Sequence, residues 1–203
     1  MTHQLADAAF WAGLNDKEAL VEVAPDGAAR RFSFNDLKNH SDAVAAHLIS
    51  SGVKAGDCVT LVGDNSVEHV IAFLGVLKAG AINCLVNTKL SPADRQALID
   101  ETDSVFTLGD ARFLTDGSGL DLANLLNLPK GRAPPPNLAE EALAAIMFTS
   151  GSSGAPKGVP ITHSGYSWAL EQFTGLAKTM AGKTGIVAAP LFHMNGQFHL
   201  LNM

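Results

Sequence analysis

Clustered basic residues are absent from this 203-residue chain, and cysteine is scarce. The 14 Lys and Arg are scattered among 20 Asp and Glu, which gives a formal net charge of -6. Nucleic acids are bound by clustered basic side chains, so this distribution disfavours a nucleic-acid partner. An anionic ligand would have to be held locally, by backbone N–H groups and one or two lysines.

The only two cysteines are Cys58 and Cys84, and both lie in apolar, strand-like runs. This placement predicts buried free thiols in a reducing compartment. No histidine or further cysteine stands at ligand spacing from either, so the sequence predicts no metal site there.

The chain also lacks a long uninterrupted apolar run. Its most apolar stretch, 70–86, is broken by Lys78, Gly80 and Asn83, and it is too short to cross a bilayer. The first residues, MTHQLADAAFWAG, lack the basic start and apolar core of a signal peptide. We therefore predict a cytoplasmic protein with no membrane span.

Short apolar strands alternate with amphipathic helices through the first half of the chain. Ser33, Ser66 and Ser91 are suited to cap three helices, and Gly52 and Gly80 to end the first two. This alternation is typical of a parallel sheet that is covered on both faces. The prediction is an α/β fold, a doubly wound mostly parallel sheet with flanking helices. The predicted strands are 19–23 and 30–34, which form a hairpin, and 58–62, 81–86 and 104–108.

Residues 109–141 are rich in glycine and proline, which indicates irregular structure. We predict a first α/β subdomain with an N-terminal hairpin over 1–130, a Pro-rich linker over 131–141, and the start of a second α/β subdomain over 142–203. The predicted elements of the last segment are a strand at 143–148, a helix at 164–180 and a strand at 185–189. Because Met203 ends the chain within an apolar run, we expect this second subdomain to be incomplete and the chain to be a fragment.

The segment most suggestive of chemistry is 149–158, TSGSSGAPKG, which follows an apolar strand. It contains three glycines, four hydroxyl side chains and Lys157. Glycines let successive backbone N–H groups point the same way and bind an anion, while the lysine adds a positive charge. A helix is expected to start near Thr162. Composition favours a polyphosphate-binding loop, and a flexible surface loop is the alternative.

Three other loop motifs do not fit the sequence. Gly154 and Lys157 do not match the Walker spacing, and the second candidate, Gly182-Lys183-Thr184, has Ala177 where that motif needs glycine. The dinucleotide motif GxGxxG is incomplete in 117–119. The hydrolase motif GxSxG would need glycine at Ala155.

The loop instead resembles the signature of the adenylate-forming (AMP-binding) family, as found in acyl-CoA synthetases. That signature has an aromatic residue, Thr-Ser-Gly, two hydroxyl residues, Gly, any residue and Pro-Lys-Gly, and 148–158 matches it. The family more often has Thr where Ser153 stands, and the hydroxyl is kept.

The resemblance covers roughly residues 19–200. Segment 59–94 is similar to the family's strand, helix and strand, although two family prolines are replaced by Leu85 and Thr88. PLFHMNGQ at 190–197 is similar to the family segment that lines the acyl pocket.

This resemblance implies ATP-dependent activation of a small carboxylic acid, followed by transfer of the acyl group to coenzyme A. It implies ATP, Mg²⁺ and coenzyme A as ligands, with Ser153 as a Mg²⁺ contact and Lys157 as the residue that stabilises phosphate charge. Later family elements, including the main catalytic lysine, cannot be placed here, so we expect 1–203 alone to be inactive. The implied ATP-phosphate ligands are Thr149, Ser150, Gly151, Ser152, Ser153, Gly154 and Lys157, and the implied acyl-pocket residues are Phe192, His193 and Met194.

Three alternatives stay open at this point. One is a serine amidohydrolase, although Lys157 follows the serines closely and Pro156 restricts the backbone beside it. Another is a non-catalytic nucleotide-binding remnant. The third keeps the fold and uses a carrier-protein thiol as the acyl acceptor. Self-association is also expected if the chain exposes apolar surface.

The remaining histidines have no assigned chemistry. We expect His40, His47 and His69, on the predicted helices, to lie at the surface or in caps. For His193 the alternative to a place beside the acyl group is packing at a strand end. His193 and His199 are six residues apart, which suits no metal-ligand geometry.

Overall fold

A computed structural model describes residues 16–115, 119–139, 141–150, 156–172 and 184–201. Its strands are β1 Glu18–Val23, β2 Ala29–Ser33, β3 Cys58–Val62, β4 Ile82–Leu85, β5 Phe106–Gly109, β6 Leu120–Asp121, β7 Leu143–Ser150 and β8 Pro156–Thr162. Its helices are α1 Phe34–Ser50, α2 Val67–Lys78, α3 Pro92–Glu101, α4 His163–Gln172 and α5 Met194–Leu201. Short 3-10 helices span Ala111–Phe113 and Leu122–Asn127.

Six strands form the central sheet in the order β6-β5-β3-β4-β7-β8. The first five of these are parallel to one another, and β8 alone runs antiparallel, beside β7. Strands β1 and β2 form a separate antiparallel hairpin. The predicted α/β class with a mostly parallel sheet is confirmed.

The predicted helix starts are also found. The Ser33 hydroxyl accepts a hydrogen bond from the Asp36 N–H while the Asp36 carboxylate accepts one from the Ser33 N–H, a complete capping box. Ser66 and Ser91 cap α2 and α3 with their side-chain oxygens, which accept from the His69 N–H and the Asp94 N–H. Gly80 follows α2 at a φ of 75°, a left-handed conformation that suits glycine.

Apolar side chains cover both faces of the sheet. Leu61 in β3 packs into the larger core with α1 and α2, whereas its neighbour Val62 packs with Leu98 of α3 in a second cluster. Successive side chains of a strand point to opposite faces, so the two clusters lie on opposite sides of the sheet. This explains why the strands read as continuous apolar runs.

Strands from both predicted subdomains share this sheet, because β7 pairs in parallel with β4. Pro136 and Leu138 of the Pro-rich segment lie close to Gly80, at the end of α2. The division at 131–141 stays a prediction.

One predicted element differs from the structure, and another is described only in part. Residues 185–189 are not a strand and extend irregularly toward α5. The predicted helix 164–180 is found as α4 up to Gln172, and its remainder lies outside the described residues.

The two cysteines are free as predicted, but only Cys84 is buried, and Cys58 is half-buried. None of the helices in the described part of the chain has the length and apolar character needed to cross a bilayer.

His69 was predicted to lie at the surface or in a cap, and this was wrong. Its side chain is 0% exposed, because α2 is buried on nearly all sides. Burial lowers the pKa of His69 to about 4, and the nearby Gly63 main chain and Asp64 carboxylate oppose this shift only in part. Neither ring nitrogen makes a regular hydrogen bond to a described residue.

This burial predicts acid sensitivity. The unfolded chain binds a proton on this ring near pH 6.5 and the folded protein only near pH 4, so stability falls as the pH drops between these values. The loss is on the order of 3 kcal/mol. Above pH 6.5 the ring is neutral in both states and contributes no pH dependence.

We therefore expect the free energy of unfolding of His69→Leu to fall less than that of the wild type between pH 6.5 and pH 4. Urea unfolding at a series of pH values measures this difference. Ile71→Val, a fully buried position on α2 without a titratable group, is the matched control and should keep the wild-type slope. An identical slope in His69→Leu and wild type would contradict the account.

Candidate functional site

The glycine- and hydroxyl-rich segment connects the two strands of a β-hairpin. The helix expected to start near Thr162 is α4, which begins at His163, but sequence reasoning did not identify strand β8, Pro156–Thr162, before it. Ser150 pairs with Pro156, so five residues connect the two strands. Four of the predicted phosphate ligands, Gly151, Ser152, Ser153 and Gly154, belong to this turn and lie outside the described residues.

Thr149 and Lys157 stand opposite each other at the base of this turn. Both side chains are exposed, and the Thr149 Oγ1 lies 3.5 Å from the Lys157 carbonyl oxygen. Lys157 forms no ion pair with any residue in the described ranges, and it is the only charged residue from 142 to 162. The hairpin therefore presents a single positive charge that is available to an anion.

One residue below this pair, Phe148 stands opposite Gly158. A Cβ at Gly158 would lie 3.4 Å from the Phe148 ring and 3.0 Å from the Ile146 Cγ2. The absence of a side chain at 158 leaves room for these two groups against the β8 backbone. The Phe148 ring thus packs against the backbone of Gly158, one residue pair before the loop.

An open cleft of about 160 Å³ lies between this hairpin and the segment that leads into α5. Thr149 lines it together with Phe192, His193 and Met194, the three residues of the predicted acyl pocket. Phe192 is buried, and its ring centroid lies 4.5 Å from that of the exposed His193. Apart from Thr149 and His193 the lining is apolar, and it is completed by Met147, Phe148, Val159 and Ile161.

The Phe192 segment is held against the start of α5. The His193 N–H donates to the Pro190 carbonyl oxygen at 3.1 Å, and the Gln197 Nε2 donates to the Leu191 carbonyl oxygen at 2.6 Å. Gln197 is fully buried. Gly196 allows the close approach, because a Cβ there would lie 2.3 Å from the Pro190 carbonyl oxygen.

Sequence reasoning named Phe192, His193 and Met194 as acyl-pocket residues and Thr149 as a phosphate ligand. All four line one cleft, and their roles stay predictions. Sequence reasoning did not identify β8, so Val159 and Ile161 were missed as cleft residues. Val159 and Ile161 stand two residues apart, which is the spacing of one strand face, but Gly158 and Pro160 weaken this signal.

Gly196→Ala should lower the free energy of unfolding by about 1–3 kcal/mol, because the new methyl group would collide with main-chain atoms that have little freedom to move. Gly165→Ala on α4 is the matched control, since its Cβ would approach only the Thr162 hydroxyl, at 3.1 Å. The control should stay within about 1 kcal/mol of wild type. Equal stabilities of the two variants in thermal or urea unfolding would argue against the close contact.

The comparison with protein families identifies the chain. A family model described as AMP-binding enzyme matches residues 8–203. The chain therefore belongs to the AMP-binding family of adenylate-forming enzymes, as the resemblance of its loop predicted.

Two curated relatives represent different branches of this family. The chain is 34% identical over 153 residues to AMB antimetabolite synthetase AmbE of Pseudomonas aeruginosa, which covers 72% of the chain and 7% of that protein. It is 29% identical over 188 residues to 2-succinylbenzoate–CoA ligase of Bacillus licheniformis, which covers 87% of the chain and 39% of that protein. The chain thus spans less than half the length of either relative.

Solved structures show the same fold. ATP-bound MatB from Rhodopseudomonas palustris matches with a TM-score of 0.82 at 22% identity, over 100% of this chain and 43% of that one. O-succinylbenzoate coenzyme A synthetase (MenE) from Bacillus subtilis, in complex with AMP, matches with a TM-score of 0.77 at 24% identity, over 100% of this chain and 53% of that one. These likenesses support the large-domain architecture of adenylate-forming enzymes.

Proposed function

We propose that the chain forms part of an enzyme that uses ATP to convert a small carboxylic acid into an acyl-adenylate and then transfers the acyl group to coenzyme A. In the first step a carboxylate oxygen bonds to the α-phosphorus of ATP, and the bond from that phosphorus to pyrophosphate breaks. Negative charge grows on the leaving pyrophosphate. Oriented donors and a cation placed there lower the barrier.

The observation that carries this proposal is the junction of two different surfaces at Thr149. The segment that follows this residue contains glycines and hydroxyl groups, and Lys157, which forms no ion pair with a described residue, stands across from it. Below it, a largely apolar cleft begins. A triphosphate on the turn and an organic acid in the cleft would therefore meet beside a single residue.

The residues of the hairpin fit a polyphosphate. We assign the phosphates to the side chains and N–H groups of the turn and to the Lys157 ammonium, with no carboxylate in 142–162 to repel them. Mg²⁺, when bound, would neutralise phosphate charge, and Ser153 remains its predicted contact. The proposed phosphate ligands are Thr149, Ser150, Gly151, Ser152, Ser153, Gly154 and Lys157.

The cleft supports an acid with an apolar body. Phe192 and Met147 are buried in its wall, while Met194 is partly exposed and adaptable in shape. The His193 ring lies 4.5 Å from the Phe192 ring, measured between centroids. We propose that Phe192, His193 and Met194 contact the acyl group.

Two features of the whole protein also remain proposals. The free thiols of Cys58 and Cys84 support a reducing, cytoplasmic location. Exposed apolar side chains such as Trp168 and Ile186 support association, either with further chain or with another copy.

A second candidate function differs in the acyl acceptor. AmbE is named a synthetase, and phenyloxazoline synthase MbtB of Mycobacterium tuberculosis is 32% identical over 176 residues. Other relatives are named nonribosomal peptide synthetases. These names favour a carrier-protein thiol in place of coenzyme A. Offering the full-length protein each acceptor with a labelled acid, and measuring where the thioester forms, separates the two candidates.

The first test of adenylation is acid-dependent exchange of pyrophosphate into ATP by the full-length protein, over a panel of aliphatic and aromatic acids. The exchange requires a reversible acyl-adenylate step. Failure of every acid to support it would favour the alternative of a nucleotide-binding remnant. We expect residues 1–203 alone to catalyse no exchange.

Lys157→Ala in the full-length protein should reduce kcat/KM for ATP roughly 10- to 150-fold, because a charge-assisted hydrogen bond to phosphate is lost. The matched control is Lys130→Ala, which removes an exposed lysine from the end of the first predicted subdomain. Unchanged ATP kinetics in Lys157→Ala would contradict the assigned role.

A further inference from the structure

We infer that Asn65 is a positioning residue for the acid-binding cleft, a role that rests on the proposed function. Its side chain holds the main chain on both sides of Pro190, immediately before Phe192. The proposed role involves no contact with the acid: Asn65 acts only by fixing the cleft wall.

The contact is made by both ends of the carboxamide. The Asn65 Nδ2 donates to the Ala189 carbonyl oxygen at 2.9 Å, and the Asn65 Oδ1 accepts from the Leu191 N–H at 2.8 Å. A carboxamide carries a donor and an acceptor side by side, so it can satisfy an extended backbone much as a neighbouring strand would. Pro190, between the two contacts, has no N–H of its own.

Asn65 lies in a turn that is fixed by contacts to neighbouring residues. It follows β3, a central strand of the sheet, and it precedes Ser66, the cap of α2. The Asp64 N–H donates to the Asp110 Oδ2 at 3.0 Å, and Arg112 pairs with the Asp64 carboxylate. The carboxamide is therefore fixed relative to the sheet that also carries β7.

A second amide side chain completes the hold on Leu191. The Leu191 N–H donates to Asn65, and its carbonyl oxygen accepts from the buried Gln197. Both backbone polar groups of the residue before Phe192 are thus taken by side chains from two different elements. Residues 185–189 form no strand, so these side chains supply the order that sheet pairing would otherwise provide.

Loss of the Asn65 contacts should weaken binding of the acid and not of ATP. Phe192 and His193 line the cleft, whereas the predicted phosphate ligands belong to the hairpin. Releasing Ala189 and Leu191 should loosen the acid-binding wall and leave ATP binding nearly intact. A merely structural role for Asn65 would weaken both ligands alike, or neither.

The test compares Asn65→Ala, Asn65→Asp and the control Ser66→Ala in the full-length protein. Asn65→Asp has nearly the same shape but places a carboxylate oxygen opposite the Ala189 carbonyl oxygen. Ser66→Ala removes the neighbouring helix cap and leaves the Asn65 hydrogen bonds to Ala189 and Leu191 in place. Pyrophosphate exchange gives KM for the acid and KM for ATP separately. Hydrogen–deuterium exchange of peptides over 189–193 measures the order of this segment and does not depend on activity.

We expect both Asn65 variants to raise KM for the acid roughly 5- to 100-fold, with KM for ATP changed less than about twofold. Asn65→Ala loses both hydrogen bonds, whereas Asn65→Asp keeps the acceptor for the Leu191 N–H and replaces the bond to Ala189 with repulsion between two oxygens. Asn65→Ala should speed amide exchange at 189–193, and Ser66→Ala should change neither quantity. Wild-type acid binding in Asn65→Asp, or a parallel rise in both KM values, would overturn the inference. Absence of acid-dependent exchange in the wild type would instead overturn the proposed function, and faster amide exchange in Asn65→Ala would still show that the contact exists.

Discussion

The pairing of β8 with β7 is the constraint on which the candidate site depends. Because Ser150 stands opposite Pro156, only five residues connect the two strands. The same pairing sets Lys157 across from Thr149. The position of the one charged side chain beside the loop therefore follows from strand register.

The parallel sheet places this hairpin beside the rest of the site. Strand β7 lies next to β4 and adds to a sheet whose two faces are both covered by apolar side chains. The turn after β3 and the turn after β7 follow the carboxyl ends of parallel strands, so they emerge at one edge of the sheet. Ligand sites of open α/β sheets lie at this edge. Asn65 and Thr149 both belong to it.

Much of the fold could be predicted because local signals and packing agree. The serine caps, the glycine stops and the apolar strands all indicate the same alternation of elements. β8 was missed because it contains Pro156, Gly158 and Pro160, which are poor strand residues. They are tolerated here because β8 is an edge strand, where a missing N–H need not break a ladder.

Other misses come from tertiary contacts that a local sequence pattern does not show. Residues 185–189 have the composition of a strand, but no strand in the described part of the chain pairs with them. His69 looked like a helix-surface residue, since sequence reasoning assigned α2 one apolar face when packing buries it on nearly all sides. The link from Asn65 to Ala189 and Leu191 spans more than 120 residues, so no local pattern could reveal it.

The most direct test of the central claim is hydrogen–deuterium exchange of the full-length protein with ATP and, separately, with AMP. If the hairpin turn binds the β- and γ-phosphates, saturating ATP should slow amide exchange across residues 149–158, and AMP should do so far less. Equal exchange in that segment with ATP, with AMP and without nucleotide would contradict the account.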